Sequence, residues 1–294
     1  MVKIAKKVIS GKTYYYLGHS FRSKGKVSKK EVYLGPSLPK NINQIKKAFV
    51  LSIYKKKWYD SFDKIKKNAI KQFRSMPIEA REKALDNFIV KFTYDTNRIE
   101  GSKLTYHETA ELLERGITPS NRPIRDVKES EAHNTIFRKA LKEKKRLSFQ
   151  LILYWHRELF KETKSGIAGD IRKHQVEISG SKFLPPSPVE VYPLMVEFFK
   201  WYNKNEDKLH PVELAALVHL KLVTIHPFVD GNGRISRLVM NLVLHRHEFP
   251  MLNIQYTGRK SYYNALERSQ VKKEESVFLQ WFFKRYLSEY KKYL

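Results

Sequence analysis

Apolar residues recur at threes and fours along most of the stretch from residue 40 to residue 292, and only the first 36 residues follow a period of two. These spacings belong to one face of a helix and one face of a strand, so the chain is expected to be mainly α with one small sheet. Residues 1–36 hold two β-rich stretches, KKVISGKTYYYLGHSF and KVSKKEVYLG, split by Gly11-Lys12 and Ser23-Lys24-Gly25. The pattern predicts a small three-stranded antiparallel β meander that ends at Gly35-Pro36 and leans on a helix, being too short to bury a core alone. Ile42, Ile45, Ala48, Phe49 and Ile53 open an amphipathic helix, and Pro77 sits at the first turn of a second one running through Ala84, Phe88 and Ile89. Thr105 with Glu108 reads as a capping box for a helix ending near Gly116. Further helices are expected over roughly 126–143, 148–161, 188–204, 210–225, 232–247, 259–268 and 276–292. Between the second and third of these lies GIAGDIRKHQVEISGSKFLPPSP, where Val176, Ile178 and Phe183 flank Gly180 and suggest a β-hairpin.

Composition narrows the class. With 41% hydrophobic residues, 17 Phe, 17 Tyr and 4 Trp, the chain has core material enough to exclude general disorder. The absence of cysteine excludes a disulfide framework, a thiolate metal site and a cysteine nucleophile. No apolar run approaches the roughly 18 residues of a membrane span, and the start has no secretory h-region, so a cytoplasmic protein without a membrane partner is expected. The 57 Lys and Arg against 30 Asp and Glu give a net charge of +27. Residues 1–76 hold 20 Lys and Arg against three acids, a net +17. Such a block attracts polyanions, so nucleic acid is a candidate partner for residues 1–76. A solvated lysine-rich face is the simpler reading. The same choice arises at Tyr14, Tyr15 and Tyr16, which read either as base-stacking platforms or as half-buried strand residues. His245 and His247 are two apart at a helix end and do not converge as a metal pair.

The chemistry concentrates in His226-Pro227-Phe228-Val229-Asp230-Gly231-Asn232-Gly233-Arg234-Ile235-Ser236-Arg237. An apolar helix stops at a proline, and a glycine-containing loop opens directly into the next helix. Gly231 and Gly233 around Asn232 permit positive φ and close backbone approach, so loop N–H groups can converge on an anion at a positive helix N-terminus. Arg234 and Arg237, one turn apart, can both reach a polyphosphate. Asp230 is a hard oxygen ligand suited to Mg2+, and His226 is placed as a general base. The P-loop spacing is absent, as is the Rossmann fingerprint.

HPFVDGNGRISR resembles the signature of Fic-domain proteins, HxFx[D/E]GNGRxxR, at every defined position. The resemblance extends over about residues 80–285. Thr96-Asn97-Arg98-Ile99-Glu100-Gly101 resembles the family's inhibitory motif [S/T]xxxE[G/N], Gly169-Asp170-Ile171-Arg172 with 176–184 resembles its flap, and Tyr262-Tyr263-Asn264-Ala265-Leu266 resembles a YYxAL stretch beside the nucleotide base. The implied fold is a Fic-type helical bundle with a β-hairpin flap. The implied organisation is a basic β meander over 1–38, a basic helical linker region over 39–92 and a catalytic domain over 93–294, with an inhibitory segment at 93–101.

The resemblance implies a protein adenylyltransferase that moves AMP from ATP to a Ser, Thr or Tyr hydroxyl of a protein docked on the 176–184 flap. In that reading His226 is the base and Asp230 holds Mg2+. Gly231, Asn232 and Gly233 cradle phosphate oxygens, Arg234 and Arg237 neutralise the β- and γ-phosphates, and Asn241 and Tyr263 attend the nucleotide. A relative that phosphorylates its target has Lys where Gly233 stands, so Gly233 favours adenylylation. Glu100, with Thr96 bracing its helix, is expected to pair with Arg237 and inhibit. The alternatives are removal of AMP or transfer of another phosphate ester by the same fold, and a nucleic-acid-associated regulatory protein. A homodimer is an open alternative to a monomer.

Overall fold

The structure, a computed structural model, describes residues 2–23 and 26–294. The chain divides into two compact units, Met1–Phe62 and Asp63–Leu294. In the first, β1 (Val2–Ile9), β2 (Lys12–Ser23) and β3 (Lys26–Gly35) form an antiparallel sheet in the order 1-2-3. The β1–β2 turn is Ser10-Gly11, both at positive φ (49° and 74°), the geometry that matches the twist of a tight hairpin. Lys24 and Gly25 of the second expected turn lie outside the described residues. Leu17 packs with Phe49 and Ile53 of α1 (Ile42–Ser75), and Val2, Ile4, Leu34 and Ile45 close over them, so the sheet does lean on a helix. Tyr14, Tyr15 and Tyr16 are half-buried, and Lys7 Nζ sits 4.3 Å from the centre of the Tyr16 ring.

The second unit is helical. It contains the remainder of α1 together with α2 (Ile78–Ile99), α3 (Tyr106–Arg115), α4 (Ile124–Lys142), α5 (Phe149–Phe160), α6 (Pro188–Asn205), α7 (Pro211–Ile225), α8 (Asn232–Arg246), α9 (Arg259–Lys272) and α10 (Glu275–Glu289). The expected starts agree to within a few residues, while α1 and α2 run on to Ser75 and Ile99, well past the apolar positions that announced them at Ile53 and Ile89. α3 begins in the predicted capping box: Glu108 N–H donates to Thr105 Oγ1 at 3.2 Å and Thr105 N–H to Glu108 Oε2 at 2.8 Å. It ends at Gly116 with φ 70°. α7 is apolar on all sides and nearly every residue of it is buried, which makes it the central helix. It packs on α8, to which the 226–231 loop joins it, and α2, α4 and α5 pack on α8 while α6 and α10 pack on α7.

The flap differs from its expectation in one respect. Residues 173–187 are irregular and turn at Gly180 (φ 73°), where Ser181 N–H donates to Ile178 O at 3.0 Å, and no strand ladder forms there among the described residues. Pro185, Pro186 and Pro188 remove the backbone donors that one arm of a ladder would need.

Candidate active site

α7 stops at His226, whose φ of 52° and ψ of 58° lie in the left-handed region. A side chain other than glycine holds that conformation only when its surroundings impose it. Here His226 N–H donates to Leu222 O at 3.0 Å, Arg172 Nε–H donates to His226 O at 2.8 Å, and Arg172 N–H donates to Pro227 O at 2.9 Å. The imidazole Nδ1 lies 3.2 Å from Val223 O. With Nδ1–H donating there, the assigned tautomer leaves Nε2 as the basic nitrogen. Burial pushes this imidazole below its ordinary value, against the opposing pull of Val223 O, so it is neutral at pH 7.

The loop that follows is held from three directions. Asn232 Oδ1 accepts from Phe228 N–H at 2.9 Å and Asn232 Nδ2–H donates to Phe228 O at 2.8 Å. His156, in α5, takes Gly169 N–H on Nδ1 at 2.9 Å and donates Nε2–H to Asp230 O at 3.0 Å. Its ring stacks on Phe228 with centroids 3.8 Å apart, and burial lowers it to about 4, so it too is neutral. Gly231 has φ 83°, and a Cβ there would come within 2.5 Å of the Phe160 ring. Only glycine meets both demands.

Several expected roles change. The Asn232 side-chain amide is engaged on both sides with the Phe228 backbone and shapes the loop. Gly233 is helical rather than at positive φ; its smallness serves the Glu100 carboxylate, which with Arg237 Nη1 (2.9 Å) occupies the space of a Cβ. Asn241, expected beside the nucleotide, is fully buried. Its Nδ2–H donates to Leu252 O at 3.1 Å and its Oδ1 accepts from Leu252 N–H at 2.8 Å, because a core amide must satisfy both ends internally. Tyr263 is partly exposed and its hydroxyl donates to Ile99 O at 3.0 Å, at the end of α2.

The charged groups form a closed set. Arg237, 1% exposed, donates from Nε to Thr96 Oγ1 at 2.7 Å and from Nη2 to Thr96 O at 3.1 Å and Glu100 Oε1 at 2.7 Å. Arg234 Nη1 pairs with Glu129 of α4, and Nη2 donates to Asp230 Oδ1 at 3.1 Å. Lys164 pairs with Asp230 and lies 3.5 Å from Glu129. Burial of Asp230 opposes its ionisation, but Arg234 and Lys164 outweigh it and hold the carboxyl down to about 2. Asn97, Glu100, Glu129, Lys164, Asp230 and Arg234 line a cavity of about 110 Å³ beside the N-terminus of α8. Arg234 Nε–H is buried there with no partner among the described residues. An ionised hard-oxygen donor, a buried N–H without a partner and a helix N-terminus suit a metal-bearing anion.

Residues 146–244 match the Fic/DOC family model. A Fic domain containing signaling protein from Bacteroides thetaiotaomicron superposes with a TM-score of 0.69 at 30% identity, covering 78% of this chain and 94% of that one. The chain belongs to the Fic/DOC family. Fic-1 of C. elegans (residues 134–508) is also similar, with a TM-score of 0.73 and 27% identity over 86% of this chain and 75% of that one. Protein adenylyltransferase Fic of Drosophila ananassae is 36% identical over 184 residues, which is 59% of this chain and 35% of the relative. The chain thus spans about a third of the length of the curated relatives it matches.

Three residues of this Fic/DOC site escaped the sequence reading: His156, Glu129 and Lys164. His156 stands on the buried face of α5 among Leu151, Ile152, Trp155, Leu159 and Phe160, and Glu129 falls on the face of α4 that buries Val127, Ser130 and His133. A polar residue inside an apolar stripe is the available signal for His156; the face of α4 is itself mixed, so Glu129 carries a weaker one. Lys164 carries none, being one lysine among many.

Proposed function

We propose that this chain transfers AMP from ATP to a Ser, Thr or Tyr hydroxyl of a protein and is held inactive by its own Glu100. The observation that carries the reading is the joining of an anchored neutral base, His226, to two buried arginines at one helix N-terminus. Nε2 of His226 takes the proton of the target hydroxyl, the oxygen attacks the α-phosphorus, and pyrophosphate leaves as the P–O bond to it breaks. Arg234 and Arg237 neutralise the charge on the β- and γ-phosphates, and the first-turn N–H groups of α8 take phosphate oxygens. Asp230 would hold the Mg2+ that accompanies ATP, which supplies further neutralisation of the phosphates. The relatives named protein adenylyltransferase support the assignment of group transferred. Support for a docking strip at 176–184 is its tether to the base: Arg172 donates to His174 O at 3.2 Å, to Pro186 O at 2.5 Å and to His226 O at 2.8 Å.

Inhibition follows from competition. While Glu100 and Thr96 occupy Arg237, that guanidinium cannot also receive a γ-phosphate. Intact-mass spectrometry of wild type, Glu100→Gly and Glu100→Gly/His226→Ala after incubation with Mg2+ and ATP tests base and brake together. An AMP-sized addition is expected in the single mutant alone; its absence from a folded Glu100→Gly protein and from added protein substrates would refute the reading.

A further inference from the structure

Of the carboxylates that pair with the two arginines of the site, Glu129 is the most deeply placed, with its side chain 8% exposed in the middle of α4 against 27% for Glu100 and 34% for Asp230. An ion at that depth must be matched, because desolvation costs several kcal/mol when it is not. It is matched three ways: by Arg234 Nη1, by Thr163 Oγ1–H donating to Oε1 at 3.2 Å, and by Lys164 Nζ at 3.5 Å. One carboxylate therefore ties α4, the turn after α5 and α8 to one another.

What this does to Arg234 depends on which edge of the guanidinium it takes. The Nη1 end is held by Glu129, with Asn97 Oδ1 at 3.4 Å. The opposite edge carries Nη2–H, which donates to Asp230, and Nε–H, which has no partner among the described residues. A guanidinium recognises phosphate through two parallel N–H groups, so its rotation matters as much as its position. We infer that Glu129 is the positioning residue of the phosphate site, gripping the Nη1 end of Arg234 so that the Nε–H and Nη2–H edge meets the β-phosphate of the nucleotide. The inference rests on the adenylyl-transfer reading of Arg234.

A competing role, a second brake acting as Glu100 does, fails on burial. Glu100 stands at the end of α2 with its side chain 27% exposed and can swing into water when displaced. Glu129 has no such exit, since releasing Arg234 would leave its charge buried beside Thr163 and Lys164 alone. It stays bonded while phosphate arrives, and the same grip retains Lys164 at the cavity wall.

The test is calorimetric binding of ATP, ADP and AMP, each with Mg2+, to Glu100→Gly protein with and without Glu129→Ala. ATP and ADP are expected to bind about tenfold more weakly in the double mutant, the cost of a phosphate contact misplaced by a loosened support. AMP, lacking a β-phosphate, is expected to bind equally to both, and Glu129→Gln, which keeps an acceptor oxygen, to recover most of the loss. Where Ala prevents folding, Glu129→Asp, which withdraws the charge by one methylene, is read the same way. Unchanged or tighter ATP binding in a folded variant overturns the inference, and so does an equal loss for AMP, the mark of a merely structural role. A Glu100→Gly parent that binds no ATP brings down the adenylyl-transfer reading and this inference with it, by a result that involves no change at Glu129.

Discussion

Replacing Glu100 by glycine is expected to weaken the empty protein and strengthen its hold on ATP by the same amount. In the wild type, Arg237 is 1% exposed and its Nη2 reaches Glu100 Oε1 at 2.7 Å, while Glu100 is 27% exposed. A hydrogen bond between charged groups in such a setting contributes about 1.5–3 kcal/mol. Thr96 remains to hold Nε and Nη2, so the helix packing is retained and the loss is confined to that bond. At about 2–4 °C per kcal/mol for a domain of this size class, the empty mutant should melt about 3–12 °C lower.

The γ-phosphate must displace the same bond in the wild type, so the mutant should bind ATP about 10- to 150-fold more tightly. At an ATP concentration of about 100 times the mutant Kd, the mutant gains about 2.7 kcal/mol and the wild type about 0.3–1.4 kcal/mol. Most of the melting gap should therefore close on adding ATP with Mg2+, and remain open on adding AMP, which has no γ-phosphate. Differential scanning fluorimetry with the three conditions side by side reads this directly. A gap of the same size with ATP as without, or a mutant no less stable than wild type when empty, would refute the assignment of Arg237 as the shared partner.

Other expectations follow from the same geometry. Because burial lowers His226, activity of the Glu100→Gly protein should be flat above the ordinary imidazole range and fall only as pH drops through that lowered value; an acid limb at or above pH 6.5 would contradict it. Stability should also decline in acid. His133 and His219 are held down to about 3 and His156 to about 4, chiefly by burial. The unfolded chain takes up their protons first, so stability is full above about pH 6.5 and is lost below it by roughly 1 kcal/mol per pH unit for each histidine. Equal chemical-denaturation midpoints at pH 7.5 and pH 5 would rule this out. Gly231→Ala should abolish transfer and destabilise by about 1–3 kcal/mol, since it demands both positive φ and displacement of Phe160; a mutant of wild-type stability would show that the loop yields. Asn241→Ala should lower the melting temperature through the unpaired Leu252 backbone while leaving ATP affinity per folded molecule unchanged, and selective loss of ATP binding would restore Asn241 to the nucleotide site.

Much of this architecture is local information. The capping box at Thr105 and Glu108, the stop at Gly116, the apolar run of α7 and its end at Pro227 are consequences of side chains within a few residues of one another, and each is legible in the sequence. The side chains that the structure gathers at the start of α8, His226, Asp230, Arg234 and Arg237, are legible too, because twelve consecutive residues carry them. The same letters do not say which of them face the ligand. Asn232 and Asn241 are equally suited to a nucleotide and to a buried backbone, and the contacts of Phe228 and Leu252 decided for the backbone. Gly233 reads in the sequence as a phosphate-cradling position of positive φ, and in the structure it gives clearance to Glu100, a residue 133 positions away.

Sequence alone therefore determined the helices, the meander and the chemical inventory of the loop, since spacing sets which face a residue occupies on its own element. Beyond the Glu100–Arg237 pair, which the family resemblance implies, the tertiary structure alone decided the partners of the site: Glu129 of α4 with Arg234, Lys164 with Asp230 and His156 with the Asp230 carbonyl. The reason is physical. A charge has no preferred partner along the chain, and in a protein with 57 cations and 30 anions only burial, which makes an unmatched ion costly, selects which few must meet.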